Sequence, residues 1–395
     1  MPGVSLEQLS RPVQILKLVR KLHMVGMFFQ TLMKMGPNTP PDIVSDNRTF
    51  GYDTFASTRT LAPVTAPMAP PPNIGLKPYG QNTATLIRTH ASISIYDEKV
   101  FATRPPGGSL GEVDASGQRY VALQMDHLVT SFRNTREFMI SRMLRGGFGV
   151  QKTGGDEYRL TELNDAAANF QVDYQVPGEN LADMDGIIAA GESWNLTGAP
   201  IITHLMNLSK RMARTSGYSP RHVIMNSSTF TPLLYNTTLQ KAGGDAYRIW
   251  DAFSQQELNP QDPMSSVVYT VQFRAAPMFL FHVINEGLIL DEVTPNEANQ
   301  IDPDLFKLFI PDGKAIIIPK VDSRWAGYAA GREPVRERTD QLNPKIITGF
   351  GVWRTPGINP SRYDITAVDN GLPLLYIPRV VHFADVWEPY TSSEA

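Results

Sequence analysis

One long amphipathic stretch, residues 118–145, constrains the fold more than any other feature. Its apolar side chains recur every three or four residues, the spacing of one helix face, at Val121, Met125, Leu128, Phe132, Met139 and Met143. The opposite side carries Asp126, Arg133, Asn134, Glu137 and Arg142. Ser116 is a candidate N-cap, and Gly146-Gly147 tolerates the left-handed turn that ends a helix. A helix roughly 40 Å long needs a partner surface along its whole length, so we expect it to act as a strut.

The bulk composition excludes several classes of protein. The 31 prolines concentrate between Pro63 and Pro106, which indicates extended chain there. A net charge of −3 argues against nucleic-acid binding over the whole surface, but it allows one basic face. The absence of cysteine excludes disulfides, zinc-thiolate sites and a thiol nucleophile. With neither a secretory signal nor a spanning apolar segment, the protein is expected to be soluble, with no membrane partner.

The first predicted helix, residues 5–35, is locally basic. Lys17, Arg20 and Lys21 lie beside its apolar stripe, and only Glu7 offsets the basic side chains. Three interpretations compete: a helix packed on the rest of the fold, a basic face turned toward nucleic acid, and a helix on a membrane surface. Prolines at 37, 40 and 41 then end the helix.

Residues 67–100 predict an extended arm. A Pro/Gly-rich outbound leg has its tip near Lys77 and Tyr79, and the return leg from Thr83 alternates apolar and polar residues. A two-stranded hairpin of this length has no core of its own and is marginal in water. We therefore expect it to lie against a neighbouring subunit, the alternative being an ordinary edge hairpin on its own domain.

The rest of the chain alternates between two kinds of pattern. Strand-like segments at 158–163 and 168–176 precede an α/β region that begins near Trp194. There we predict a helix from Ile201 stopped by Gly217, a strand at 222–225, a helix capped by Asn226 that continues through Leu239, and further strands. From Ile346 the chain is again strand-like, and these strands are predicted to return to the first domain's sheet, which makes that domain discontinuous.

No clustered catalytic signature is present. The sequence has no metal-binding HExxH, phosphate loop, GxSxG elbow or true GxGxxG, and its seven histidines are scattered. The carboxylate pairs Asp183/Asp185 and Asp302/Asp304 could bind a divalent cation, although exposed loop acids are the default. Arg332, Glu333, Arg336 and Glu337 form a mixed cluster that suggests an ion-paired surface or subunit contact rather than a phosphate site. We therefore predict no enzyme activity, catalytic residue, cofactor or metal.

The order of parts resembles the lambda-like major capsid protein E family of tailed bacteriophages. The resemblance covers about residues 43–387 and rests on a succession of stretches rather than on one motif. These are TFGYDTFASTRTLAPVTAP, KPYGQNTATLIRTHASISIYDE, the long helix, YRLTELNDAAANFQVDYQVPGENL and the segment from ESWNLTG onward. In that last segment Gly217, Pro220, Ile224, Met225 and Asn226 match the family's arrangement of a strand leading into a helix.

The resemblance implies an α+β fold of the Hong Kong 97 type. Its parts would be an N-terminal arm (1–42), strands joining the peripheral domain (43–66), the extended E-loop (67–105), the spine helix and peripheral domain (106–194), the axial domain (195–345) and C-terminal strands returning to the peripheral domain (346–395). The E-loop residues expected at a subunit contact are Lys77, Tyr79, Ile87, Arg88 and Ile93. The first 40 residues exceed the family's short arm.

The implied function is a major capsid subunit of the virion, which assembles in the host cytoplasm into hexamers and pentamers of an icosahedral shell around double-stranded DNA. Its expected partners are itself, a portal protein, a separate scaffolding protein, a decoration protein and the packaged DNA. Lys17, Arg20 and Lys21 are the candidates for non-specific contact with the genome. The alternatives are an encapsulin-like nanocompartment shell and a soluble α/β enzyme with an unrecognised site.

Overall fold

The computed structural model describes residues 27–37, 39–55, 79–96, 115–154, 157–181, 187–189, 191–242, 267–272, 279–289, 306–335, 345–357 and 362–387. The chain forms two compact units, and each draws on separate segments of the sequence. The first takes its described residues from Met1–Phe50, Thr85–Met139 and Gly327–Pro373. The second takes them from Gly51–Ala84, Ile140–Ala326 and Leu374–Ala395.

The elements of the described residues are as follows. The α-helices are α1 (Phe28–Met33), α2 (Ala115–Met143), α3 (Ile201–Thr215), α4 (Ser227–Leu234) and α5 (Thr237–Ala242). The earlier strands are β1 (Ile43–Ser45), β2 (Thr49–Phe55), β3 (Tyr79–Thr85), β4 (Ile87–Tyr96), β5 (Gly147–Gly154), β6 (Glu157–Glu162), β7 (Phe170–Asp173), β8 (Pro220–Met225) and β9 (Val267–Gln272). The later strands are β10 (Leu280–Ile284), β11 (Gly287–Ile289), β12 (Phe306–Leu308), β13 (Lys314–Pro319), β14 (Ala326–Val335), β15 (Lys345–Thr348), β16 (Phe350–Gly357), β17 (Arg362–Leu375) and β18 (His382–Asp385).

The first unit is built on a six-stranded sheet whose central strand is β17. The order β1-β14-β17-β16 forms the main path, β15 pairs with β14, and β4 pairs with β17. β16 and β4 both pair with β17 from Arg362 to Asp369, so they flank it on opposite edges. The strand β17 is mostly buried, as expected for a strand with neighbours on both sides.

The long helix α2 forms where the sequence predicts it and covers this sheet. Its apolar stripe, including Val121, Met125 and Phe132, packs in one cluster with Ile95 of β4 and Ile365 of β17. Burying each side chain of this size contributes about 1.5–3 kcal/mol. The proposed cap is wrong, because Ser116 lies inside the first helical turn.

The second half of α2 is buried on its polar side as well as along its apolar stripe. Every residue from Arg136 to Leu144 is buried. Arg136 is 3% exposed and donates to Asp369 of β17, with Nη2 to Oδ1 at 2.6 Å and Nε to Oδ2 at 3.0 Å. Its guanidinium stacks 4.4 Å from the centroid of the Tyr328 ring and also donates to the Met35 carbonyl at 3.3 Å. Burial works to lower the pKa of Arg136, but the charges and hydrogen bonds around it raise that pKa, so the group stays charged.

The second unit is built on a five-stranded sheet of order β18-β13-β8-β10-β9. β10 runs parallel to β8, while β13 runs antiparallel to both β8 and β18. One face packs against α3 and α4, where Leu205, Leu208, Val223 and Phe281 share a core with Trp194. The predicted α/β character of this region is therefore confirmed at the level of its elements.

The helix ends of the second unit agree with the sequence, except at one break. Asn226 caps α4 by accepting from the Thr229 amide at 2.8 Å, and Gly217, with φ 82°, follows α3 as predicted. The helix predicted from Asn226 through Leu239 is instead two helices, because α4 stops at Leu234 and α5 starts at Thr237. The buried Asn236 side chain between them accepts from the amides of Thr238 and Leu239, which caps α5.

Two strands pair differently from the predicted domain boundaries. The strands after residue 346 were expected to return to the sheet of the first domain, and β16 and β17 do lie in the first unit. The last one, β18, instead pairs with β13 in the second unit. Conversely β14, which the boundaries placed with residues 195–345, belongs to the first unit's sheet.

A smaller sheet of order β6-β5-β7 follows α2 in the second unit. Gly146 and Gly147 make the turn from helix to strand with φ of 102° and 153°, as the sequence predicts. A Cβ on Gly147 would fall 2.3 Å from the Val172 carbonyl oxygen, so no other residue fits. No helix among the described residues is both long and apolar enough to cross a membrane.

Three histidines are buried in the five-stranded sheet. His222 Nδ1 and His282 Nε2 share a hydrogen bond of 2.9 Å across neighbouring strands, so one ring donates and the other accepts. Burial lowers the pKa of His222 to about 4 and that of His282 to about 3. It also lowers the pKa of His382 to about 4, helped by Arg211. All three rings are therefore neutral in the folded chain at neutral pH.

We predict that replacing Arg136 by Met destabilises the unassembled chain by about 3–5 kcal/mol, because Asp369 is left as a buried, unpaired charge. Urea unfolding of the purified chain measures this. The double variant Arg136→Met/Asp369→Leu should recover most of the loss, since it removes both charges. Arg324, whose side chain is 81% exposed beside Asp322, is the matched control, and Arg324→Met should cost less than about 1 kcal/mol. A loss as small as the control's would show that the ion pair is dispensable.

The three buried histidines lead to a second prediction, which concerns the pH dependence of folding stability. Their folded-state pKa values lie below the unfolded value near 6.5, so only the unfolded chain takes up these protons between about pH 6.5 and 4. Stability should therefore fall over this window by up to about 1.4 kcal/mol per pH unit for each histidine. Thermal unfolding of the unassembled chain across this range tests it. His222→Phe/His282→Leu should flatten the dependence. An unaltered slope in the double variant contradicts the assignment.

Candidate subunit-contact surfaces

The structure places three of the five predicted arm residues in intramolecular contacts. Ile87, Arg88 and Ile93 lie on β4, which pairs with β17 over its whole length. The predicted alternation is present: Ile87 is buried and Ile93 packs against the α2 cluster, while Arg88 is exposed on the other side. The apolar face of the return leg is thus covered by this chain's own helix. Tyr79 begins β3, and Lys77 lies outside the described residues.

β4 is accordingly an edge strand of its own sheet from Ile87 onward. In the described part of the chain it pairs with β17 alone. The first strand of the return leg, β3, pairs instead with β2, and the outbound leg of the arm lies outside the described residues. The base of the arm is also held, because the Phe55 amide of β2 donates to the Tyr376 carbonyl at 2.8 Å and Tyr52 packs edge-on against the Tyr376 ring.

Two members of the predicted mixed cluster, Glu333 and Arg332, form ion pairs with other residues of the same chain. Arg88 donates through Nε to Glu333 at 2.7 and 3.0 Å and through Nη2 to the same carboxylate. This hydrogen bonding raises the pKa of Arg88. Arg332 contacts Asp46 at 3.3 Å, with both side chains more than half exposed. Arg336 and Glu337 lie outside the described residues.

The N-terminal segment is attached to α2 through a carboxylate. Glu137, which is 1% exposed, accepts from the amides of Phe29 and Gln30, the latter at 2.9 Å. These amides belong to the first turn of α1 and have no partner within the helix, so the carboxylate satisfies them and matches the helix dipole. The predicted helix of residues 5–35 is described only as α1, which Lys34 ends with φ 57°. Lys17, Arg20 and Lys21 lie outside the described residues.

The hairpin of β5 and β6 exposes both faces of its outer half. Lys152 and Thr153 on β5 are exposed, as are Tyr158 and Arg159 on β6. Because successive side chains on a strand point to opposite faces, neither face of this half is covered. Tyr158 is 55% exposed. A two-stranded ribbon of this kind is marginal without a covering surface, so it is a candidate contact with another molecule.

The hairpin of β14 and β15 exposes one face. Its covered face carries Val335 and Ile347, which pack with Trp353. On the other face Pro334 pairs with Ile346, both residues are exposed, and Ile346 is 63% exposed. From the sequence, the mixed cluster that includes Arg332 and Glu333 indicates a contact at the β14–β15 hairpin, whereas the β5–β6 hairpin is not predicted as one. The signals for the exposed halves of the two hairpins were the glycines that bound β5 and the apolar Ile346-Ile347 in a strand with no amphipathic partner.

Chemistry-bearing residues of the described chain do not converge. No group of three or more His, Asp or Glu side chains in this part of the chain could hold a metal ion. The most enzyme-like arrangement surrounds the buried His204 ring: Trp194 Nε1 donates to His204 Nδ1 at 3.2 Å, and His204 Nε2 lies 2.9 Å from Glu192 Oε2. Both ring nitrogens are therefore occupied. The pairs Asp183/Asp185 and Asp302/Asp304 lie outside the described residues.

Comparison with known proteins identifies one family, through a family model. The family model described as phage major capsid protein E matches residues 28–384. Nothing among the curated proteins matches the chain. A solved protein assigned as a prophage capsid protein of E. coli CFT073 is 12% identical with a TM-score of 0.54, covering 98% of this chain and 100% of that one. The capsid of Ralstonia phage GP4 is 10% identical with a TM-score of 0.48, covering 94% and 93%. The first of these likenesses shows a shared fold.

The Arg88–Glu333 pair gives a prediction that separates internal from inter-subunit bonding. Arg88→Glu should lower the free energy of unfolding of the unassembled chain by up to about 1 kcal/mol, a small effect because the Arg88 side chain is 45% exposed. The swap Arg88→Glu/Glu333→Arg should restore most of it. Arg332→Glu, at the more exposed pair with Asp46, serves as the control and should have a smaller effect. Urea unfolding measures all three, and no change in Arg88→Glu would argue for a partner on another subunit.

Proposed function

Because the chain belongs to the phage major capsid protein E family and is a structural capsid subunit of the virion shell, we propose that it assembles into hexamers and pentamers of an icosahedral shell enclosing double-stranded DNA. The match of the family model over residues 28–384 carries this proposal. The fold, α+β of the Hong Kong 97 type, is that of phage capsid proteins. Multiplying weak contacts over a closed lattice would supply the shell's stability.

We assign the parts of the shell subunit as follows. The helix α2 is the spine helix, the sheet of the first unit is the centre of the peripheral domain, and the five-stranded sheet of the second unit is the centre of the axial domain. Residues 67–105 include the E-loop, whose tip around Lys77 contacts a neighbouring subunit. The exposed halves of the β5–β6 and β14–β15 hairpins support this assignment, because each presents uncovered strand surface that assembly would bury.

The finer partners are also part of the proposal. A portal protein, a separate scaffolding protein and a decoration protein would join the shell, which would assemble in the host cytoplasm. DNA contact through Lys17, Arg20 and Lys21 would be non-specific and weakened by salt, since it would rest on phosphate neutralisation. We propose no catalytic activity, which is supported by the family's structural role and by the fully occupied nitrogens of His204.

We expect the full chain, expressed with its neighbouring genes, to form closed shells, tubes or capsomer rings in negative-stain electron microscopy. Particles from infected or induced cells should protect double-stranded DNA from nuclease. An extract lacking only this gene is the control for particles made of host proteins. A monomer or small dimer under all salt conditions would contradict the assembly proposal, and shells that enclose protein cargo without DNA would favour the encapsulin-like alternative.

A further inference from the structure

An uncharged, exposed patch lies on the second unit where two chain segments meet. The first segment is the loop that follows Trp194 and leads into α3, and the second is the junction between α4 and α5. Leu196 on the loop is 43% exposed, and Tyr235 at the junction is 63% exposed. We define the Leu196–Tyr235 patch by its exposed residues, which are Leu196, Thr197, Gly198, Tyr235 and Thr237.

The two segments are fixed to each other by one buried amide and its neighbours. Asn236 is fully buried and donates to the carbonyls of Leu196 at 3.1 Å and Ala199 at 3.0 Å. Its carbonyl oxygen meanwhile caps α5, so the side chain uses both its donor and its acceptor groups. The Thr237 amide donates to the Thr197 carbonyl at 2.7 Å. The patch is therefore preorganised, and binding a partner there would cost little ordering of the backbone.

The loop is held equally firmly at its start. The Trp194 amide donates to the Val386 carbonyl at 2.8 Å, and its indole nitrogen donates to His204. Trp194 itself is completely buried in the core of the second unit. Leu196 thus projects from a segment whose backbone is fastened on both sides, although a flexible loop would let a leucine fold inward. Its exposure is imposed by the fold.

The composition of the patch indicates which kind of molecule can bind to it. None of its residues carries a charge, and a large aromatic and a large aliphatic side chain stand among small polar ones. Protein interfaces are enriched in tyrosine and depleted of charged residues at their centre. Nucleic acid would instead require lysines and arginines to neutralise phosphates. A protein surface is the occupant that fits, and a shell supplies the same chain at high local concentration.

We propose that the Leu196–Tyr235 patch is a contact surface for a second copy of this chain within the assembled shell. The proposal rests on the proposed function, since it takes the neighbour to be another capsid subunit. In a ring of subunits the contact is heterologous, so the patch meets a different surface on the neighbour and closes the ring by repetition. Each contact is weak alone and acts through its repetition around the ring.

Gly198 provides a selective way to block the patch. A Cβ built on Gly198 meets no atom within 4 Å, and its backbone lies outside the left-handed region that disfavours side chains. Gly178, the exposed first residue of a short 3-10 helix elsewhere in the same unit, has the same two properties. A large side chain at either position therefore fits the folded chain, but only the one at Gly198 stands in the patch.

The test compares Gly198→Arg with Gly178→Arg in the full chain, co-expressed with its neighbouring genes. Both unassembled variants should keep the wild-type thermal unfolding temperature, because neither side chain meets a neighbour. Gly178→Arg should form shells at the wild-type yield, and Gly198→Arg should lower the yield by about tenfold or more, the effect of about 1.4 kcal/mol at one contact. Size-exclusion chromatography and negative-stain microscopy measure the yield. The double variant Leu196→Ser/Tyr235→Ser, which truncates the patch without adding bulk, should reduce assembly as well.

The remaining outcomes distinguish a failure of the patch proposal from a failure of the proposed function. Absence of shells from the wild-type chain would defeat the proposed function. Wild-type shells together with normal shells from Gly198→Arg would overturn the patch alone, as would equal loss in both glycine variants. Normal Gly198→Arg shells that lack an accessory protein present in the wild type would also overturn it, because the patch would then serve a different partner.

Discussion

The buried pairing of Arg136 with Asp369 is the interaction on which the first unit depends. Through one guanidinium it joins the long helix α2 to the central strand β17, to the Tyr328 ring of β14 and to the chain leaving α1 at Met35. Four segments far apart in sequence thus converge on a single charge. Since removing one partner of such a pair leaves the other unpaired in a low-dielectric interior, the loss of either charge alone would destabilise the packing of all four segments.

Much of the fold was accessible from the sequence because periodicity reports which face of an element is buried. The apolar stripe of α2, the cap at Asn226 and the alternation of β4 are local signals, and each appears in the structure as predicted. What periodicity cannot report is the identity of the covering surface. The alternation at Ile93 and Ile95 is equally compatible with a neighbouring subunit and with the chain's own helix, and the structure selects the helix.

The burial of charged residues on α2 was not predicted, for a related reason. Arg133, Glu137 and Arg142 lie on the side of the helix opposite its apolar stripe, and charged side chains are rarely buried, yet all three are buried. Their partners, such as the α1 amides that bind Glu137, lie about a hundred residues away and leave no local pattern. The break at Asn236 was missed similarly, since its carbonyl partners stand on a separate loop. Contact surfaces of the shell share this limit, because exposure is a property of the folded chain.

The pairing of β4 with β17 has a consequence for biosynthesis. Ile87 and its neighbours leave the ribosome about 270 residues before the strand that completes their sheet. At about 5–20 residues per second this delay is on the order of tens of seconds. During that time β4 offers an unpaired edge and an apolar face, the features that invite misassociation between nascent chains. A protein made in the large numbers a shell requires would therefore place a heavy demand on the chaperones of its host.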